Sequence, residues 1–196
     1  MAYKTLSKPV RITEHQWPEG TTPIVSICCV TYNQEKYVRE CLDGFLMQET
    51  SFPVEILIHD DASTDNTANI IREYERKYPH LIKPIYQVEN QFSQKKEPYV
   101  FNFNRAMGDF VALCEGDDYW LAANKLESQV NCLMKNNNAS ACFHRADDLD
   151  EFKGERTPGF WGPPYLAQQY TLNDLFINSN FIPTASLMFK TSNFME

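Results

Sequence analysis

The sequence predicts an α/β domain with a mostly parallel central sheet and helices on both faces. Two observations predict it. Short apolar runs rich in β-formers (24–30, 54–58, 82–87 and 110–113) alternate with segments whose apolar residues recur at helical spacing. Strand and helix in that rhythm build parallel sheets through right-handed crossovers. Three of the runs also end in polar clusters: Thr31-Tyr32-Asn33, Asp60-Asp61 and Glu115-Gly116-Asp117-Asp118. Ligands of open α/β sheets bind at the carboxyl ends of strands, so these three ends can meet at one edge.

Taken in order, residues 1–23 carry Pro9, Pro18, Gly20 and Pro23 and read as an irregular arm. The run Ile24 to Val30 is the first strand, and Thr31-Tyr32-Asn33 turns it into a helix with Asn33 as N-cap. Tyr37, Val38, Cys41, Leu42, Phe45 and Leu46 give that helix one apolar face. Phe52-Pro53 ends the connection and Val54 to Ile58 is the second strand. A helix marked by Ile70, Ile71, Tyr74 and Tyr78 follows, closed by Pro79. The third strand, Ile82 to Gln87, is interrupted by Pro84.

Residues 88–98 read as a polar loop, Tyr99 to Met107 as a helix, and Gly108 as its C-terminal breaker. The Phe110 strand then delivers the acidic cluster. Leu126, Val130, Leu133 and Met134 mark a further helix, ended by Asn136-Asn137-Asn138, and Ala139 to Phe143 is a short strand. Residues 146–165, with Phe160-Trp161, read as an irregular functional loop. Thr171-x-x-Asp174 is a capping box for a helix through Asn178, and Ala185 to Lys190 is the last strand.

At 196 residues and 43% hydrophobic, the chain can bury one sizeable core. A net charge of −8 without a basic stripe argues against a nucleic-acid partner. A single nucleotide is still compatible, because a bound metal supplies positive field. No apolar run reaches the length of a membrane span, and Met1 to Pro23 lacks the apolar middle of a signal peptide, so a cytoplasmic protein is expected. Cys28, Cys29, Cys41, Cys114, Cys132 and Cys142 form no C-x-x-C pair and read mainly as buried free thiols of a reducing compartment.

The chemistry narrows by elimination. No G-x-G-x-x-G follows the first strand, and there is no phosphate-binding P-loop, nucleophile elbow or H-E-x-x-H helix. What remains is acids at strand ends. Crowded carboxylates repel, and hard oxygen donors suit Mg²⁺ or Mn²⁺, which fill their other positions with water and phosphate oxygens. Acids after a strand also cap helices or hold turns, so Asp118 reads equally as an organiser of metal-bound water and as a cap.

Three stretches carry a resemblance: Val25 to Asn33, His59-Asp60-Asp61-Ala62-Ser63-Thr64-Asp65, and Glu115-Gly116-Asp117-Asp118-Tyr119-Trp120. In this order they resemble the signatures of family 2 glycosyltransferases of the GT-A fold, the last as an E-G-D-D-Y-W form of the D-x-D motif. The resemblance implies a metal-dependent, inverting transfer from a nucleotide-diphosphate sugar, most often UDP-linked, to a saccharide or lipid-linked saccharide acceptor. Surface polysaccharide or lipopolysaccharide assembly at the inner face of the cytoplasmic membrane is the implied setting. Carried over by residue, Thr31, Tyr32 and Asn33 lie against the nucleoside, and Asp60 or Asp61 accepts from base or ribose while the other orients the loop. Asp117 is the implied metal ligand, with Asp118 beside it, and Glu115 contacts the ribose or a metal-bound water. The resemblance further implies a general base just past Glu196, so residues 24–196 are expected to be a nucleotide-sugar-binding domain truncated before its catalytic base and acceptor site. A nucleotide-sugar-binding module without transfer activity is the alternative; a nucleotidyltransferase fits less, because Thr31 to Glu35 is unlike its Gly-rich loop.

Overall fold

A computed structural model of the chain describes residues 5–165 and 169–193. The strands, in chain order, are β1 (Val10–Arg11), β2 (Val25–Thr31), β3 (Glu49–Thr50), β4 (Val54–Asp60), β5 (Ile82–Tyr86), β6 (Phe110–Glu115), β7 (Ala141–Cys142), β8 (Ala146–Asp150), β9 (Glu155–Trp161) and β10 (Met188–Lys190). The helices are α1 (Val38–Leu46), α2 (Thr67–Lys77), α3 (Tyr99–Phe103), α4 (Lys125–Lys135) and α5 (Leu172–Asn178). The central sheet runs β5-β4-β2-β6-β10-β7, with β5, β4, β2 and β6 mutually parallel and β10 antiparallel to both its neighbours.

Alternation along the buried strands sorts the core into two layers. Ile27, Cys29, Ile56, Ile58, Ala112 and Cys114 point to one face, where they pack with Val38, Cys41, Leu42 and Phe45 of α1, Ile70 and Ile71 of α2, and Leu126, Val130 and Leu133 of α4. Cys28, Leu57, Val111 and Leu113 point to the other and meet Tyr99 and Phe103 of α3. Near-continuous apolar runs are what a sheet covered on both faces requires. Pro84 is tolerated because β5 is an edge strand.

The structure corrects several sequence expectations. The described part of the arm, expected to be irregular, carries one short strand and a core residue: β1 pairs with β3, and Ile12, in the turn after it, is fully buried in the main core. Periodicity does not reveal this because a two-residue strand carries none. Asn33 is not a helix cap; it takes a left-handed φ of 53°, and α1 starts five residues later at Val38. The helix expected over Tyr99 to Met107 stops at Phe103.

Gly108 is no C-cap either. Its N–H donates to Ser26 Oγ (2.9 Å), and a Cβ there would lie 2.6 Å from the Ser26 nitrogen, so glycine is needed for close approach to β2. That corner is organised by buried Glu55, which accepts from Ser26 Oγ (2.7 Å), Met107 N (2.9 Å) and Lys83 Nζ (2.8 Å). Finally, residues 146–161 are not irregular, although 162–165 are. β8 and β9 form an antiparallel ribbon, and Asp147 pins it by accepting from Gly159 N (2.6 Å) and Arg156 Nε (2.6 Å).

The capping box of α5 is present, with Thr171 and Asp174 bonding reciprocally. Four cysteines are buried free thiols, as expected, whereas Cys132 is exposed and Cys142 half-buried. Among the described residues no helix is long and apolar enough to cross a membrane.

Candidate active site

The parallel registers Thr31 with Asp60 and Val30 with Glu115 bring the three polar strand ends level at one edge of the sheet. A cavity of about 380 Å³ opens there, lined by Val30, Thr31, Tyr32, Gln34, Asp61, Asn90, Phe92, Pro98, Glu115 and Asp117. Backbone bonds lock the rim: Asp61 N donates to Thr31 O (2.9 Å) and Gly116 N to Val30 O (3.0 Å).

The two acids after β4 have separate tasks. Asp60 is buried and braces the turn, accepting from Thr31 Oγ1 (3.1 Å) and Ser63 N (3.3 Å). Asp61, also buried, lines the cavity and accepts from Gln91 N on Oδ1 (2.7 Å) and from Phe92 N on Oδ2 (3.0 Å). A carboxylate has about four acceptor positions, so Asp61 keeps capacity for a ligand N–H or hydroxyl. Asn33 is not a lining residue. Its Oδ1 accepts from Thr64 N (2.7 Å) and its N–H donates to Ser63 Oγ (2.9 Å), tying the first turn to the second and holding Tyr32 at the cavity.

The acidic turn forms the other end. Glu115 and Asp117 line the cavity and Asp118 does not. The Glu115 carboxyl is pushed up from the ordinary range, first by burial and then by repulsion from Asp118 and Asp117, against a hydrogen bond from Thr184. Asp118 is raised as well, by partial desolvation of its carboxyl first and by Asp117 second. Among the described residues no ion pair reaches any of the three acids. No three His, Cys, Asp or Glu side chains among them converge to hold an ion unaided. Oxygen donors, crowded charge and no neutralising side chain among the described residues fit a hard divalent cation that takes one or two protein ligands and completes its shell with water and phosphate.

Trp120 is core, 4% exposed, with its indole N–H on Ala185 O (2.8 Å), whereas Tyr119 is exposed. His59 is buried and stacked on Phe101, with its burial pushing the imidazole down; neither it nor His144 lines the cavity. Asp148 and Asp150 belong to the β8–β9 ribbon. Val30, Gln34, Asn90, Phe92 and Pro98 are the lining residues that sequence reasoning missed; for the last three the available signal was that the 88–98 loop leaves a parallel strand at the same carboxyl edge.

The profile of Glycosyl transferase family 2 matches residues 26–194. An uncharacterized protein of Mycobacterium tuberculosis is 41% identical over 166 residues, which cover 85% of this chain and 46% of that protein. The dTDP-rhamnosyl transferase RfbG of Shigella flexneri is 31% identical over 109 residues, 55% of this chain and 37% of that protein. Among solved structures, S. aureus TarS 1–349 in complex with UDP superimposes with a TM-score of 0.66 at 25% identity, covering 86% of this chain and 47% of that one. The chain thus spans about half the length, 46%, of the curated relatives it matches first. With a profile match over 26–194 and the GT-A architecture around one cavity, this chain belongs to glycosyl transferase family 2.

Proposed function

We infer that this chain binds a nucleoside-diphosphate sugar at the cavity and supports transfer of the sugar to an acceptor hydroxyl. The observation that carries this reading is the meeting of the β2, β4 and β6 ends around one cavity with an acceptor-rich wall and a separate acidic turn. Asp61 and the Thr31-Tyr32 turn hold the nucleoside. Asp117 is the protein ligand of Mn²⁺ or Mg²⁺, Asp118 orients its water, and Glu115 receives a ribose hydroxyl or a metal-bound water. A divalent ion supplies neutralisation of charge on the leaving diphosphate when bound.

The chain's own residues orient the donor: buried Asp60 fixes the turn, and the Asp61 carboxylate fixes the loop opposite. An inverting outcome and a UDP-linked donor rest on the family resemblance, and the UDP complex of TarS supports the second. A saccharide or lipid-linked acceptor in surface polysaccharide assembly, at a cytoplasmic membrane face, belongs to the same reading. Residues 24–196, with the described part of the arm, are the donor-binding unit, and no residue of the chain is assigned as the general base.

Calorimetric titration with UDP, GDP and dTDP, each with Mn²⁺ and with EDTA, tests the reading alongside Asp117→Ala. Metal-dependent binding of one nucleotide, lost in the variant, is expected. A folded chain that binds none of the three refutes it.

A further inference from the structure

We propose that Phe92 is a ligand-binding residue that forms one wall of the nucleobase subsite, facing its heteroaromatic ligand together with Tyr32. The inference deepens the nucleotide reading above and rests on it.

Phe92 is 68% exposed although it sits on a loop with little freedom. Asp61 grips its N–H and that of Gln91, one on each carboxylate oxygen. Asn90 closes the loop from inside: its amide donates to Asp61 O (3.0 Å) and its Oδ1 accepts from Ser93 N (2.7 Å). A 3₁₀ turn over Phe92–Gln94 follows, ended by Lys95 in a left-handed conformation with φ 61°. Lys96 N returns to Gln91 O (3.1 Å) and Lys96 Nζ to Gln91 Oε1 (2.9 Å). A buried carboxylate and a closed set of hydrogen bonds thus hold a phenyl ring out in water at a cavity wall. Packing gives no reason for this, since the ring forgoes the burial that normally stabilises phenylalanine.

Tyr32 presents the same combination from the neighbouring turn. It is 48% exposed and lines the cavity, while Asn33 anchors its backbone to residues 63–65. In the sheet order β5-β4-β2, the loop bearing Phe92 leaves β5 and the turn bearing Tyr32 leaves β2. Asp61, at the end of β4, comes between them. One end of the cavity therefore has two pre-positioned rings and a carboxylate, and the other has Glu115 and Asp117. A flat base that carries a ring N–H, as uracil, thymine and guanine do, satisfies the first end: faces on the rings and N–H on Asp61. The diphosphate then extends towards the acidic end.

The test is equilibrium titration of the 196-residue chain and of Phe92→Ala and Phe92→Tyr with UDP, dTDP and GDP, each with Mn²⁺ and with EDTA. Thermal melts serve as the fold control, which an exposed ring should barely move. Phe92→Ala is expected to weaken the bound nucleotide about 5- to 150-fold, the range of one lost base–aromatic stack. Phe92→Tyr should bind within about threefold of the parent, because a second π-face replaces the first. The ratio of affinities with and without Mn²⁺ should be unchanged in both, since that ratio reads the acidic end. Parent-like nucleotide binding by folded Phe92→Ala overturns the base-wall assignment and leaves the nucleotide reading standing. A parent chain that binds no nucleotide overturns both.

Discussion

Replacing Asp61 with Asn tests the clamp between β4 and the 90–92 loop with almost no change of volume. The carboxylate gives one oxygen to Gln91 N at 2.7 Å and the other to Phe92 N at 3.0 Å, in a residue 3% exposed. An amide has one acceptor oxygen, so its NH₂ must face one of two backbone N–H groups, donor against donor. The variant loses a charge-assisted bond worth about 1.5–3 kcal/mol and leaves a buried N–H unpaired at about 1–3 kcal/mol; the two costs overlap, for a net of about 2–4 kcal/mol. At about 1.4 kcal/mol per decade, opening of the loop becomes about 30- to 1,000-fold more frequent.

Native-state amide exchange reads this directly, because a loop can open without unfolding the sheet. Gln91 and Phe92 amides should exchange faster by that factor. If the loss propagates to the global transition, melting falls by about 4–16 °C. Exchange of both amides within threefold of the parent, with an unchanged melt, would refute the argument that Asp61 holds the loop.

Three further outcomes are expected. In Gly116→Ala, the new methyl meets the Gln34 side chain and Thr31 Cγ2, which belong to the nucleotide turn, so nucleotide affinity measured by calorimetry should fall about 5- to 100-fold while the chain still folds. Glu115 and Asp118 have raised folded-state pKa values, so their contribution to stability is present at low pH and is lost as pH rises through those values. Without metal, melting should therefore decline with pH just above the ordinary carboxylate range, and Glu115→Gln should flatten that decline; added Mn²⁺ with nucleotide should bind more tightly over the same rise.

Lys125 is buried, sits over the Trp120 ring at 4.1 Å and donates to Gln129 Oε1 (2.6 Å), and burial lowers its pKa from 10.5 to about 8. Between those values the unfolded chain binds the extra proton, so this group makes stability rise with pH from about 8 to 10.5. Denaturant unfolding of Lys125→Met should lack that rise, and an identical pH dependence in parent and variant would contradict it.

How much of this was legible in the sequence follows from what each signal encodes. The apolar runs of β2, β4 and β6 were plain because a strand covered on both faces must be apolar throughout. The helical faces of α1, α2 and α4 were plain because each packs one side on the sheet. The β8–β9 ribbon was not, since a ribbon with both faces half in water has no alternation to read, and its order comes from Asp147 and its partners. Gly108 was misread because a breaker and a close-approach glycine look alike until β2 is known to pass beside it.

The site divides in the same way. By itself the sequence determined the three acid-bearing or polar strand ends and their order, because parallel connectivity and the position of polar residues after apolar runs are local properties of the chain. Only the tertiary structure decided which member of each cluster faces the cavity: Asp61 and not Asp60, Tyr32 and not Asn33, Asp117 and not Asp118. Residues side by side in a turn need not face the same way, and which of them reaches the cavity depends on a second turn brought close through space. Phe92 was invisible for the same reason. Nothing in a polar loop marks its one aromatic residue until a carboxylate from another strand fixes the backbone on either side of it.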